Sequence, residues 1–190
     1  MRTSNKSGSL LPHSEESPFY KIQGVGNMEY SISPMVEEDR KPIIDIFNYY
    51  ISSSYAAYPE AEVSYETFDV FLQMSRGYPT ATVKDGNGEV LGFGFLRVYN
   101  PMPVFSETAE VTYFISEEYT GKGIGKSLLE YFEEEGKKKG IKNILASISS
   151  LNPGSINFHR KNGFTECGCF KSVGKKNDRV FDTVWMQKML

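Results

Sequence analysis

Tyr119-Thr120-Gly121-Lys122-Gly123-Ile124-Gly125-Lys126-Ser127 is the stretch that decides the fold. It follows an apolar run, Thr108 to Ile115, that reads as a strand. It opens a segment in which Ile124, Leu128, Leu129 and Phe132 fall on one helical face. Glycines between a strand and a helix let the backbone turn sharply and bring bare N–H groups close to a ligand. At a helix start those groups lack partners, and the aligned peptide dipoles favour an anion. The stretch therefore predicts a phosphate or pyrophosphate site. Two familiar phosphate loops fail on spacing. A dinucleotide loop needs G-x-G-x-x-G early in its unit and an acidic residue about 20 positions on. A nucleoside-triphosphate loop needs G-x-x-x-x-G-K-[ST], and Thr120 stands where its first glycine belongs. A glycine turn without a ligand is the remaining reading.

Outward from this stretch the periodicities alternate. On the N-terminal side, Glu29 to Met35 reads as a strand, Val36 to Ser52 and Tyr65 to Ser75 as helices, and Thr80 to Val83 and Val90 to Val98 as strands. The last two are joined by Asp85-Gly86-Asn87-Gly88, a strong hairpin signal because Asn and Gly accept positive φ. On the C-terminal side the glycine-led helix runs to about Lys139. Ile144 to Ile148 is a strand, Pro153 to Lys161 a short helix, and Thr165 to Val173 and Val180 to Met189 are two closing strands. Strands and helices in this order predict an α+β domain on one mixed sheet. Residues 28–190 are expected to form that single domain, and 1–27, rich in Ser, Gly, Lys and Pro, a flexible tail.

Composition narrows the partners. With 39% hydrophobic and 24% charged residues the chain is ordinary for a globular protein, and its formal charge of -3 does not suit a nucleic-acid backbone. No apolar run approaches the roughly 20 residues that span a bilayer, and the polar N-terminus lacks a signal core, so a cytoplasmic protein without membrane contact is expected. Cys167 and Cys169 stand two apart in a strand, poor geometry for a disulfide, and read as buried or half-buried thiols. With His13 and His159 as the only histidines, no metal site is expected.

The run from Val111 through Gly121-Lys122-Gly123-Ile124-Gly125 resembles the acetyl-CoA-binding motif of the GNAT superfamily, [RQ]-x-x-G-x-[GA], with Gly123 and Gly125 in the glycine places and Thr120 replacing Arg or Gln. Asn152-Pro153-Gly154-Ser155, with His159 and Gly163-Phe164 following, resembles that family's later helix. Within it, Phe47-Asn48-Tyr49-Tyr50-Ile51, Thr108-Ala109-Glu110 and Asp182 to Gln187 are most similar to phosphinothricin and methionine sulfoximine acetyltransferases, from about Met28 to the C-terminus. The resemblance implies a three-layer α/β/α fold with a twisted, mostly antiparallel sheet. It implies direct acetyl transfer, in a ternary complex, from acetyl-CoA to a primary amine of a small molecule. A peptide or protein amine is the alternative acceptor, and a non-catalytic acyl-CoA-binding module the alternative class. A homodimer is also admitted.

Amide formation from a thioester needs a neutral amine, a polarised carbonyl and a protonated leaving thiolate. Glu110 is the candidate base, since a carboxylate within Val111, Tyr113, Phe114 and Ile115 is costly to bury without purpose; an edge-strand charge facing water is the bland reading. His159 is the candidate to protonate the thiolate, or to act with Glu110 on the amine. The resemblance assigns the pantetheine arm to the backbone of Tyr113, Phe114 and Ile115 and to Asn152 and Ser155. It assigns the pyrophosphate to Gly121, Lys122, Gly123, Ile124, Gly125 and Lys126, the two lysines reading equally as solvated. The loop Tyr99 to Phe105 is the expected acceptor loop, with Asn100, Met102 and Glu110 as substrate contacts. It carries no Lys or Arg, which favours an apolar amine over an amino acid, while Arg97 lies just upstream. Tyr55, Tyr58 and Phe105 are candidate pocket walls.

Overall fold

An eight-stranded sheet carries the computed structural model, which describes residues 20–23 and 28–190. Strands β1 (Tyr20–Gln23), β2 (Glu29–Ser33), β3 (Thr80–Asp85), β4 (Val90–Val98), β5 (Thr108–Ile115), β6 (Asn143–Ser149), β7 (Thr165–Lys176) and β8 (Arg179–Met189) lie in the order β1-β2-β3-β4-β5-β6-β8-β7. Every neighbouring pair is antiparallel except β5 and β6. On one face α1 (Arg40–Ser53) and α2 (Thr67–Met74) set Ile43, Ile44, Ile51, Phe68 and Phe71 against Phe93, Phe95 and Phe114. On the other, α3 (Ile124–Lys138) sets Leu128, Leu129 and Phe132 against Leu96, Val111, Ile144 and Met186, with α4 (Pro153–Lys161) beside it. Each large apolar side chain buried this way contributes roughly 1.5–3 kcal/mol, so these two layers hold the helices more than helix propensity does. The expected three-layer α+β architecture is the observed one.

Some expectations needed correction. The expected tail, 1–27, contains a strand: β1 pairs with β2, and the Tyr20 hydroxyl donates to Glu135 at 2.7 Å. Four residues are too few for a periodicity to register; residues 1–19 and 24–27 lie outside the described part. The first helix begins at Arg40 after a 3-10 turn, Glu37–Asp39, because the buried Asp39 carboxylate turns to Thr82 (2.8 Å) and Lys84 (2.5 Å). β7 continues past Val173 to Lys176 through irregular pairing at Glu166/Gly168 and Phe170/Gly174. The first irregularity leaves Cys167 exposed and Cys169 half-buried, so only Cys169 fits the expected burial; both thiols are free.

The feature that positions the site is a split in the sheet. β5 and β6 pair only through Thr108, Ala109 and Glu110 against Asn143, Ile144 and Leu145. Beyond Glu110, β5 keeps only its β4 partner, while β6 turns away with β8. Among the described residues, the edge of β5 from Val111 to Ile115 faces a wedge-shaped gap rather than another strand.

Candidate functional site

The wedge opens into a cleft of about 300 Å³ lined by both strand edges, by Asn152, Ser155 and His159 of the α4 region, and by residues between α1 and α2. Past the Ile115 end of β5, outside the residues that line the cleft, lies the glycine turn. Gly121 and Gly123 have φ of 74° and 90°, left-handed values that strain any side chain, and Gly123 caps α3. The first intrahelical bonds run from Lys126 and Ser127 back to the Gly123 carbonyl, so the Ile124 and Gly125 amides belong to the turn that a helix leaves unpaired. The Ile124 side chain is buried in the core, which leaves its backbone amide as the group it could offer. Gly125 differs: its φ is ordinary, and a Cβ there would crowd the Phe158 ring of α4 at 3.3 Å. A split strand edge leading to a bare helix start is a cradle for an extended arm that ends in an anion, and it fits acetyl-CoA. Lys122 instead lies over the Tyr119 ring at 4.7 Å, and Lys126 pairs with Glu130 at 3.5 Å, both on the surface.

The α4 residues are engaged before any ligand arrives. Asn152 caps the helix, its Oδ1 accepting from the Ser155 amide at 3.1 Å. The Ile115 carbonyl accepts from the Tyr50 hydroxyl at 2.6 Å. His159 is buried; its Nδ1 donates to the Ser155 carbonyl at 2.8 Å, because a carbonyl can only accept. That fixes the tautomer of the neutral ring, so the Tyr113 hydroxyl donates to Nε2 at 2.9 Å. Burial holds the His159 imidazole below its ordinary value, opposed by the Ser155 bond, and raises the Tyr113 phenol well above its own. In this tautomer His159 carries its proton on Nδ1 and accepts at Nε2. Tyr113 enters the site through its side chain, which the sequence reading had assigned to backbone contacts alone.

At the inner end stands Glu110, 9% exposed and on a central strand, so the edge-strand alternative falls. Its direct cross-strand partner is Arg97, with an N–O distance of 2.7 Å to Oε1. Both line the cleft, and Arg97 is the single Lys or Arg among its lining residues. Ala56, Ala57, Tyr58 and Pro59 form a wall here, and Tyr58 stacks on Phe181 at 5.6 Å. That loop is held from behind by Lys176, 1% exposed, whose Nζ donates to the carbonyls of Ile51, Ser54 and Ala57 at 2.6, 2.8 and 2.8 Å. Burial lowers the Lys176 ammonium below its ordinary range. Asn100 and Met102 do not reach the cleft: the Asn100 side chain folds onto the Met102 amide at 3.0 Å, and Met102 is exposed. Tyr55 and Phe105 are likewise outside the lining. Arg97 and Lys176 were missed as site residues because each acts through contacts no local pattern encodes.

Among the described residues no group of three or more His, Cys, Asp or Glu could hold a metal, and no helix is long and apolar enough to cross a membrane. Residues 43–164 match the model of the acetyltransferase (GNAT) family. An L-methionine sulfoximine/L-methionine sulfone acetyltransferase of Pseudomonas paraeruginosa is 30% identical over 84% of this chain and 94% of its own. A phosphinothricin acetyltransferase structure from Sinorhizobium meliloti, in complex with acetyl-CoA, superposes with a TM-score of 0.79 at 27% identity, covering 89% of each chain. A ribosomal-protein-alanine N-acetyltransferase structure from Brucella melitensis gives 0.78 at 30% identity, over 84% of this chain and 99% of that one.

Proposed function

Since this chain belongs to the GNAT acetyltransferase family and is an acetyl-CoA-dependent N-acetyltransferase, we propose that its acceptor is a small amine of the methionine sulfoximine or phosphinothricin kind, bound at the Glu110 end of the cleft. The observation that carries this reading is the placement of one buried carboxylate where the β5–β6 gap begins, within a walled cleft. Acetyl-CoA supplies an acyl group already activated as a thioester. The Val111–Ile115 edge and the Gly121–Lys126 turn would hold it, with Asn152 and Ser155 alongside.

Glu110 takes a proton from the acceptor ammonium, which at an ordinary value near 10 is almost wholly charged at neutral pH. The neutral nitrogen then bonds to the thioester carbon, the carbon–sulfur bond breaks, and the surplus proton on nitrogen passes to the departing thiolate. As the carbon–sulfur bond breaks, the Tyr113 hydroxyl turns its single proton from His159 Nε2 to the departing sulfur, as a hydrogen bond. A thiol with an ordinary value of about 8.5 can leave as thiolate once such a donor is in place. His159 orients that hydroxyl, and Ser155 orients His159.

A peptide N-terminus is a second reading, favoured by the likeness to the Brucella melitensis enzyme. Free-thiol release from acetyl-CoA, measured against L-methionine sulfone, L-methionine sulfoximine, phosphinothricin and a peptide starting with alanine, decides between them. Turnover confined to the first three supports the proposal; turnover confined to the peptide replaces it.

A further inference from the structure

We infer that Arg97 is a substrate-operated lock on Glu110: its guanidinium holds the carboxylate until an acceptor bearing an acidic group beside its amine draws the guanidinium away. The inference rests on the reading of Glu110 as the group that meets the amine.

Three observations carry it. Arg97 and Glu110 face each other directly across β4 and β5, so the 2.7 Å contact between them is set by strand register. While it stands, Oε1 is engaged by a cation rather than by a substrate ammonium. Next, the Arg97 Nε–H is buried without an acceptor, although the side chain as a whole remains 31% exposed and lines the cleft. A guanidinium has five donors in a planar fork suited to a carboxylate or phosphinate, and here Nε is unmet. Finally, no other Lys or Arg lines the cleft, and the Tyr99–Phe105 loop offers none, so an acidic group on the acceptor has Arg97 as its cationic partner.

Simply breaking a partly buried ion pair is unfavourable because the more deeply buried Glu110 is left without its partner. An α-amino acid avoids this. Its acid and its ammonium sit on neighbouring carbons, so one molecule can insert between the two side chains, acid towards Arg97 and ammonium towards Glu110. One internal pair is exchanged for two intermolecular ones, and no charge is stranded. An amine without the acid would leave the guanidinium competing for Glu110. The lock thus makes the acid group a condition for using the base, and assigns to β4 the anion recognition that the loop lacks.

The test compares L-methionine sulfone with its carboxamide, acceptors alike except for the acid, in the wild-type enzyme and in Arg97→Gln. The wild type is expected to favour the acid about 100-fold in kcat/KM. Arg97→Gln is expected to lose most of that factor on the acid, to hold or gain on the carboxamide, and to keep its acetyl-CoA affinity. Should Arg97→Gln fail to fold, Arg97→Lys, which keeps the charge and loses the fork, should lose about tenfold on the acid alone. If both acceptors fall together while acetyl-CoA still binds, or if the wild type does not discriminate, the lock is wrong and Glu110 can still be the base. If the wild type acetylates no amine, or only a peptide, the acceptor reading itself fails and the lock falls with it.

Discussion

The turn before α3, Gly121 to Lys126, offers backbone amides from one continuous stretch, whereas the cleft around Glu110 is lined by residues delivered from β4, β5, β6, α4 and the loop after α1. The first end depends on what residues leave out, a Cβ at positive φ or against Phe158. The second depends on what residues far apart in the chain bring together. A backbone-built site tolerates varied side chains but few substitutions of its glycines; a side-chain-built site can change acceptor by single substitutions on a constant frame.

The sharpest way to break the comparison is Glu110→Gln. Turnover should fall about 10²–10⁴-fold, the range of a lost general base, while acetyl-CoA affinity by calorimetry stays as it was. An equal loss of both would mean that the two ends do not work separately. Tyr113→Phe should lower kcat by roughly 10–100-fold with KM little changed, as expected for one lost donor to the leaving sulfur. Adding a His159→Asn change should lower it little further, because His159 is read as acting through Tyr113.

Gly123→Ala tests the other end. Holding a Cβ at φ near 90° costs on the order of 1–2 kcal/mol, so the acetyl-CoA Kd should rise about tenfold with acceptor KM unchanged. Lys176→Met removes the donor from three carbonyls behind the acceptor wall. A loss of about 1–3 kcal/mol in unfolding free energy is expected, with acceptor KM up a few-fold and acetyl-CoA KM constant. The smallest effect concerns pH. His159 has a folded value lowered by burial, so the unfolded chain binds its proton first. Its stabilising contribution is complete above the ordinary value of 6.5 and fades as pH falls from there through the folded value. Chemical denaturation from pH 7.5 to 5 should show a decline that is shallower in His159→Asn; an identical slope would mean that His159 does not titrate in this range.

What the sequence by itself determined is what depends on neighbours in the chain: the strand–glycine–helix turn, the Asp85–Gly88 hairpin, the apolar faces of the helices, and Glu110 as a carboxylate in an apolar strand. These follow from backbone sterics and periodicity, which act over a few residues. Tertiary structure alone decided the rest. The gap beside β5 exists because β6 follows β8 after three residues of parallel pairing. The Arg97–Glu110 pair comes from the β4–β5 register, and the Tyr113–His159 bond joins residues 46 positions apart. Asn100 and Met102 were placed by their loop and excluded by its local turn, while Lys176 reached the site from 119 positions away by filling a buried socket of carbonyls. A buried polar group must find a partner wherever the packed chain provides one, and only the packed chain names that partner.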